Sequence, residues 1–122
     1  MPSVVVLGAS ADRSKFGNKA VRAFLQRGYQ VYPVNPRETV IEGLEVYPSL
    51  ESVPGRPEEV TVYVPPGVLM PLLPAMAARG CEVLWLTPGT DTPEVLAVAA
   101  RLGLPVRAAC SIVALGWSPA DL

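Results

Sequence analysis

Histidine is absent from the 122-residue chain, and cysteine and lysine occur only twice each. Without histidine, neither a Ser-His-Asp nor a Cys-His catalytic set can form, and histidine-ligated zinc is excluded. The two cysteines, Cys81 and Cys110, stand 29 positions apart, so there is no Cys-x-x-Cys redox or zinc pattern. General acid–base chemistry would fall to carboxylate, lysine, tyrosine or thiol groups. Side-chain amides are scarce too: Asn18, Asn35, Gln26 and Gln30 are all there are. Few amides beside fourteen prolines fit a thermophilic source. An arginine-rich, high-GC genome would produce part of the same bias.

A surplus of either charge is missing as well. Ten cations against eleven acids give a net charge of −1, which supports no broad basic face and no nucleic-acid partner. No apolar run approaches the roughly 18 residues of a membrane span. Met1-Pro2-Ser3-Val4 opens without the basic and apolar regions of a signal peptide, so a cytoplasmic location is the expectation. What is present is apolar: half the residues are hydrophobic, enough for a folded core rather than disorder. The length fits one domain over residues 1–122.

Val4-Val5-Val6-Leu7 is a continuous apolar run ending at Gly8, the pattern of a strand covered on both faces. From Gly17, Ala20, Val21, Phe24 and Leu25 fall at helical spacing, and Gly28 closes that helix. Gln30 to Val34 reads as a second strand leaving through Asn35-Pro36-Arg37. Residues 38–57 are turn-rich, with a tight turn at Ile41 to Leu44 and a helical turn capped by Ser49. Val60 to Val64 is a third strand stopped by Pro65-Pro66, and a helix follows over Val68 to Arg79. Pro71 suits its first turn, whereas Pro74 argues for a later start of the regular helix. Glu82 to Leu86 is strand four, and Thr92-Pro93-Glu94 is a helix start with cap, N1 proline and acidic first turn. That helix closes at Gly103, and Pro105 to Ala108 is strand five. The tail from Cys110 adds a last turn over the sheet. Alternating strands and helices predict an α/β, Rossmann-like, doubly wound sheet of about five mainly parallel strands in a three-layer αβα arrangement. Such sheets place their ligand at the carboxyl ends of the strands.

The first loop there is Gly8-Ala9-Ser10, six further residues, then Gly17. It is not Gly-x-Gly-x-x-Gly, yet it keeps that loop's physics. Gly8 permits a sharp turn, Ser10 offers a hydroxyl, and the helix start offers free N–H groups to an anion. Asn18 and Lys19 are candidates to supplement it. Arg13 and Lys15 flank the loop as solvated charges or ligand contacts. An NAD site wants an acid about 20 residues past the glycine loop; that count from Gly17 reaches Arg37. Arginine suits a phosphate on the ribose, as NADP carries at the 2′ and coenzyme A at the 3′ position. Tyr63-Val64-Pro65-Pro66 forms a rigid apolar ledge, and no substrate pocket or proton relay for a hydride enzyme is evident.

Those loops, with Tyr32-Pro33-Val34-Asn35-Pro36-Arg37, Tyr47-Pro48-Ser49-Leu50 and Val62-Tyr63-Val64-Pro65-Pro66, resemble the CoA-binding domain family. This family is the stand-alone relative of the N-terminal domain of the succinyl-CoA synthetase α subunit. The resemblance runs in order over roughly residues 4–110 and implies a Rossmann-like fold holding CoA across the strand ends. It implies Gly8, Ala9 and Ser10 at the CoA phosphates, and Val34, Asn35, Pro36 and Arg37 around the adenosine end. Val64, Pro65 and Pro66 would pack on the adenine or pantetheine, with Thr87, Pro88 and Gly89 by the thiol-bearing arm. Two positions depart from the family pattern. Thr87 stands where a glutamine is usual, and Ala109 where an arginine precedes the cysteine. The synthetase's phosphohistidine belongs to a second domain. The resemblance therefore implies a binding module for CoA or acyl-CoA that is not an enzyme on its own. The alternatives are an NADP-binding reductase or redox-sensing domain, and a non-catalytic partner subunit of an acyl-CoA enzyme. Cys81 and Trp85 read as core, Cys110 as packing or a reactive thiol, and Trp117 as a cover for the sheet or for an interface in a homo-oligomer.

Overall fold

The computed structural model describes residues 2–122. β1 (Ser3–Leu7) runs through the middle of the molecule, and its four apolar residues point alternately to two cores. Val4 and Val6 face α1 (Phe16–Gln26), which buries Ala20, Val21, Ala23 and Phe24 against them. Val5 and Leu7 face the opposite layer. This is the physical sense of the continuous run: with helices on both sides, neither face of the strand meets water. β2 (Gln30–Val34) pairs parallel with β1 from Ser3↔Gln30 to Leu7↔Val34. Gly28, at φ 81°, makes the left-handed exit from α1 that feeds it.

The tight turn expected at Ile41 to Leu44 is the loop of a two-stranded hairpin, β3 (Val40–Ile41) and β4 (Leu44–Glu45). Glu42 and Gly43 both take positive φ, 49° and 76°, as a two-residue hairpin loop of the primed type requires. The expected helical turn is a 3₁₀ turn over Leu50–Ser52, closed by a reciprocal Ser49–Ser52 capping box.

β5 (Glu59–Val62) pairs with β1 on the side away from β2, then β6 (Val83–Leu86) and β7 (Val106–Arg107) extend the sheet. All five strands are parallel, in the order β2-β1-β5-β6-β7. The third strand stops two residues before Val64. The Tyr63 N–H still reaches the Leu7 carbonyl at 2.7 Å, but Val64 has turned out of the ladder toward Pro65.

The single helix expected over Val68 to Arg79 is instead three pieces. α2 (Pro66–Leu69), a 3₁₀ turn (Met70–Leu72) and α3 (Leu73–Arg79) follow one another. Proline has no N–H and crowds the preceding turn, so it is tolerated only where a helix begins. Pro66, Pro71 and Pro74 each sit in the first two positions of one piece, so each restarts the winding. α4 (Pro93–Arg101) begins at the predicted cap, with Thr92 Oγ1 accepting the Val95 N–H at 3.2 Å. Replacing Thr92 by alanine is expected to cost about 1 kcal/mol of unfolding free energy, read by urea denaturation. An unchanged midpoint would show that the cap contributes nothing. The tail adds α5 (Ser111–Ala114) and a 3₁₀ turn over Pro119–Asp121.

α2, α3 and α4 contribute Leu69, Leu73, Met76, Val95 and Ala99 to one core, while α1 and Ile112 of α5 close the other. The three-layer Rossmann-like arrangement is as the alternating pattern required. The winding reverses between β1 and β5, and the crevice of such a sheet opens outside the carboxyl ends of those strands.

Candidate functional site

Two glycines let three segments converge at that crevice. Gly8 leaves β1 at φ 89°, and a Cβ there would lie 2.7 Å from the Tyr63 carbonyl carbon and oxygen. A Cβ on Gly17 would run into the Gly8 carbonyl oxygen. The N–H groups of Gly8 and Ala9 both donate to the Val34 carbonyl at 3.1 Å, tying the loop to the end of β2. α1 starts with no side-chain cap at Lys15 and no acidic residue of its own in its first turn; the acid beside that turn is Glu42, held by Asn18.

Asn18 is completely buried, and all its polar capacity is spent inside the protein. Nδ2 donates to the Ser10 carbonyl at 2.9 Å and to Glu42 Oε2 at 3.1 Å, while Oδ1 accepts from Arg22 Nε at 2.8 Å. As placed, its side chain braces the loop, and both amide protons are used within the protein. Ser10 Oγ accepts the Asp12 N–H at 3.0 Å, and its own proton is given to no described residue. The Ser14 hydroxyl and N–H hold the Asp12 carboxyl below the usual carboxylate range. Arg13 pairs with Glu42 at 3.1 Å, and Lys15 is exposed.

At the exit of β2, Asn35 Nδ2 donates to the Ala9 carbonyl at 2.9 Å. Its Oδ1 accepts the N–H of Arg37 at 2.7 Å and of Glu38 at 3.0 Å. Asn35 thus shapes the turn that presents Pro36 and Arg37, rather than facing a ligand itself. Arg13, Arg22, Arg27 and Arg79 all donate side-chain hydrogen bonds. The guanidinium of Arg37, like those of Arg56, Arg101 and Arg107, has neither a hydrogen bond nor an ion pair among the described residues, and of these four Arg37 is the one that follows the β2 exit.

Two cavities flank the exit of β5. The first, about 200 Å³, is lined by Gly8, Val34, Pro36, Ser49, Val64 and Val68 among others. The second, about 320 Å³, is lined by Phe16, Tyr63, Thr87, Pro88, Cys110 and Pro119. Consecutive residues of one strand exit, Tyr63 and Val64, therefore serve one cavity each. Ala9 is buried behind the loop. Pro65 and Pro66 cap and begin α2 and line neither cavity. Gly89, at φ 96°, turns the β6 exit and donates to Asp91 Oδ1 at 3.3 Å, also outside both cavities. Thr87 is buried, its hydroxyl donating to the Val62 carbonyl.

The phenol of Tyr63 finds the partner its burial demands in Ser111 Oγ at 3.2 Å, and Thr61 Oγ1 shares that hydroxyl at 2.8 Å. Burial pushes the Tyr63 phenol above its ordinary pKa. Trp85 is core, although its indole N–H donates to Glu59 Oε1 at 2.7 Å. Cys81 is buried and its thiol pushed up by desolvation, whereas Cys110 is half-buried at the second cavity. Trp117 packs against the α1-side core with Arg27 over its ring at 4.7 Å.

Sequence reasoning missed Phe16, the first residue of α1, and with it Cys110 and Pro119 as neighbours of the site, because the tail that meets Phe16 there carries no strand pattern. Ser49 and Val68 were missed as cavity walls. The bridge between Val34 and Tyr47 draws the 48–51 segment to the β2 exit, and nothing in the local sequence announces it. Among the described residues no group of three or more His, Cys, Asp or Glu side chains assembles a metal site. No described helix is long and apolar enough to cross a membrane.

The CoA-binding domain family matches residues 2–116. The chain belongs to that family. The alpha subunit of ADP-forming acetate–CoA ligase II from Pyrococcus furiosus is 31% identical over an alignment 114 positions long, which covers 84% of this chain and 25% of the subunit. A conserved protein of unassigned role from Pyrococcus furiosus superposes with a TM-score of 0.84 at 28% identity, covering 93% of this chain and 99% of its own. A Thermus thermophilus structure gives 0.83 at 33% identity, covering 92% of this chain and 86% of its own. This CoA-binding domain spans a quarter or less of the curated relatives it matches, from 12% to 25% of their lengths.

Proposed function

We propose that this domain holds coenzyme A or its acyl thioesters across the carboxyl ends of its strands, and does not transform them. The observation that carries this is the pair of cavities meeting at the β5 exit, with Val64 in one and Tyr63 in the other. CoA is a ligand with two unlike ends, and the surroundings fit each. Arg37, exposed and unpaired beside the first cavity, suits the ribose 3′-phosphate by charge and fork geometry. The uncapped start of α1 and the Ser10 hydroxyl suit the pyrophosphate. The space that a Gly8 side chain would fill is taken by the Tyr63 backbone, which draws the loop close against the β5 exit. The second cavity would take the thiol-bearing arm.

Holding rather than transforming suits the state of the polar groups: Asn18, Asn35, Thr87 and Tyr63 are all engaged within the protein. A partner role in a larger acyl-CoA enzyme is favoured by kinship with a ligase subunit of which this chain matches one quarter. It predicts a specific ligase-like protein in a pull-down from the native cytosol, and recovery of none would sink it.

The decisive test is a thermal-shift panel of CoA, acetyl-CoA, NADPH, NADH and ATP. CoA at 100 times its Kd should add about 2.7 kcal/mol to stability. Stabilisation by NADPH with none by CoA would replace this reading with the reductase one.

A further inference from the structure

The second cavity can be assigned a more specific occupant, on the basis of the CoA reading above. None of its six lining residues, Phe16, Tyr63, Thr87, Pro88, Cys110 and Pro119, is charged. Its hydroxyls are already satisfied, Thr87 by the Val62 carbonyl and Tyr63 by Ser111. Phe16 leaves 51% of its surface exposed there. A site whose two hydroxyls are both bonded within the protein, whose one other polar group is the weakly polar Cys110 thiol, and which lies beside an exposed aromatic ring favours an apolar occupant. The cation that touches this lining, Lys19, is engaged by the Pro119 carbonyl at 2.9 Å and lies over the Phe16 ring at 5.5 Å.

The position is right for the far end of the ligand. Arg37 follows β2 and Thr87 follows β6, with β1 and β5 between them. Three strand spacings are about 14–15 Å, a span within the reach of CoA from its ribose phosphate through the pyrophosphate to the end of the pantetheine arm. We infer that this cavity receives the acyl group of a CoA thioester, and that the group it fits is an uncharged chain of several carbons. A carboxylate carried into it would lose water with no charged partner among the six lining side chains, and the one cation against them, Lys19, is already shared between the Pro119 carbonyl and the Phe16 ring.

Isothermal titration with CoA, acetyl-CoA, butyryl-CoA and succinyl-CoA tests this. Each buried methylene should tighten binding about fourfold, so butyryl-CoA should bind about fifteenfold tighter than acetyl-CoA. Succinyl-CoA should bind no tighter than CoA. Alkylation of Cys110 by iodoacetamide, followed by peptide mass spectrometry with buried Cys81 as internal reference, localises the acyl group. Saturating butyryl-CoA should slow it, and saturating desulfo-CoA, which lacks the acyl group, should not. Equal affinities for CoA and butyryl-CoA would overturn the acyl assignment while leaving CoA binding intact. Succinyl-CoA binding as tightly as butyryl-CoA, or unchanged Cys110 alkylation, would overturn it as well. Failure of every CoA compound to bind would overturn the CoA reading together with it.

Discussion

Replacing Gly17 by alanine is expected to destabilise the protein by about 1–3 kcal/mol, although alanine is the better helix former by about 1 kcal/mol. The added methyl meets the Gly8 carbonyl oxygen, a backbone atom that cannot rotate away. Gly8 in turn is pressed against the Tyr63 carbonyl, so the displacement has nowhere to go except into the β1, β5 and α1 junction. Two controls separate sterics from backbone preference. Gly67 has open space and an ordinary φ, so Gly67→Ala should be neutral or stabilising by up to about 1 kcal/mol. Gly28 has open space but φ 81°, so Gly28→Ala should cost only the left-handed strain, about 1–2 kcal/mol. Urea unfolding of the three variants ranks them. If the Gly17 variant proved as stable as the parent, the junction would be far softer than its geometry implies.

Arg37→Ala should weaken CoA binding about tenfold to a hundredfold, the loss of a charge-assisted hydrogen bond to phosphate. The same substitution should leave dephospho-CoA binding unchanged, and the parent protein should bind dephospho-CoA about as weakly as the variant binds CoA. Because Arg37 is exposed, its contribution should shrink as salt rises. Equal binding of CoA and dephospho-CoA by the parent would remove Arg37 from the site.

Much of this was open to a sequence reader. Gly28 and the run from Gln30 to Val34 gave β2 its observed bounds, because a left-handed glycine and a buried apolar strand are local signals. The Thr92 cap was equally local. The prolines of residues 66–74 were legible as disturbances, but their effect needed the whole series: three helix starts in succession replace one helix. The candidate site was less accessible. Asn18 and Asn35 lie where polar ligand groups belong, and only the position of Glu42 and of the Ala9 carbonyl reveals that both are braces. An amide's partners come from distant segments, and neither spacing nor hydropathy encodes them. The second cavity was hidden for the same reason, since Phe16, Cys110 and Pro119 come together only when the tail folds back.

That tail gives the two ends of the crevice different birthdays. Every strand precedes Cys110 in the chain, and Cys110 and Pro119 are the last contributors to the second cavity. The first cavity uses nothing beyond Leu72. As the chain emerges from the ribosome, the residues that wall the groove beside Arg37 are all made about fifty residues before those of its neighbour, while the domain folds as a unit. Lys19, reaching across 100 positions to the Pro119 carbonyl, is the clasp that closes the sequence of events.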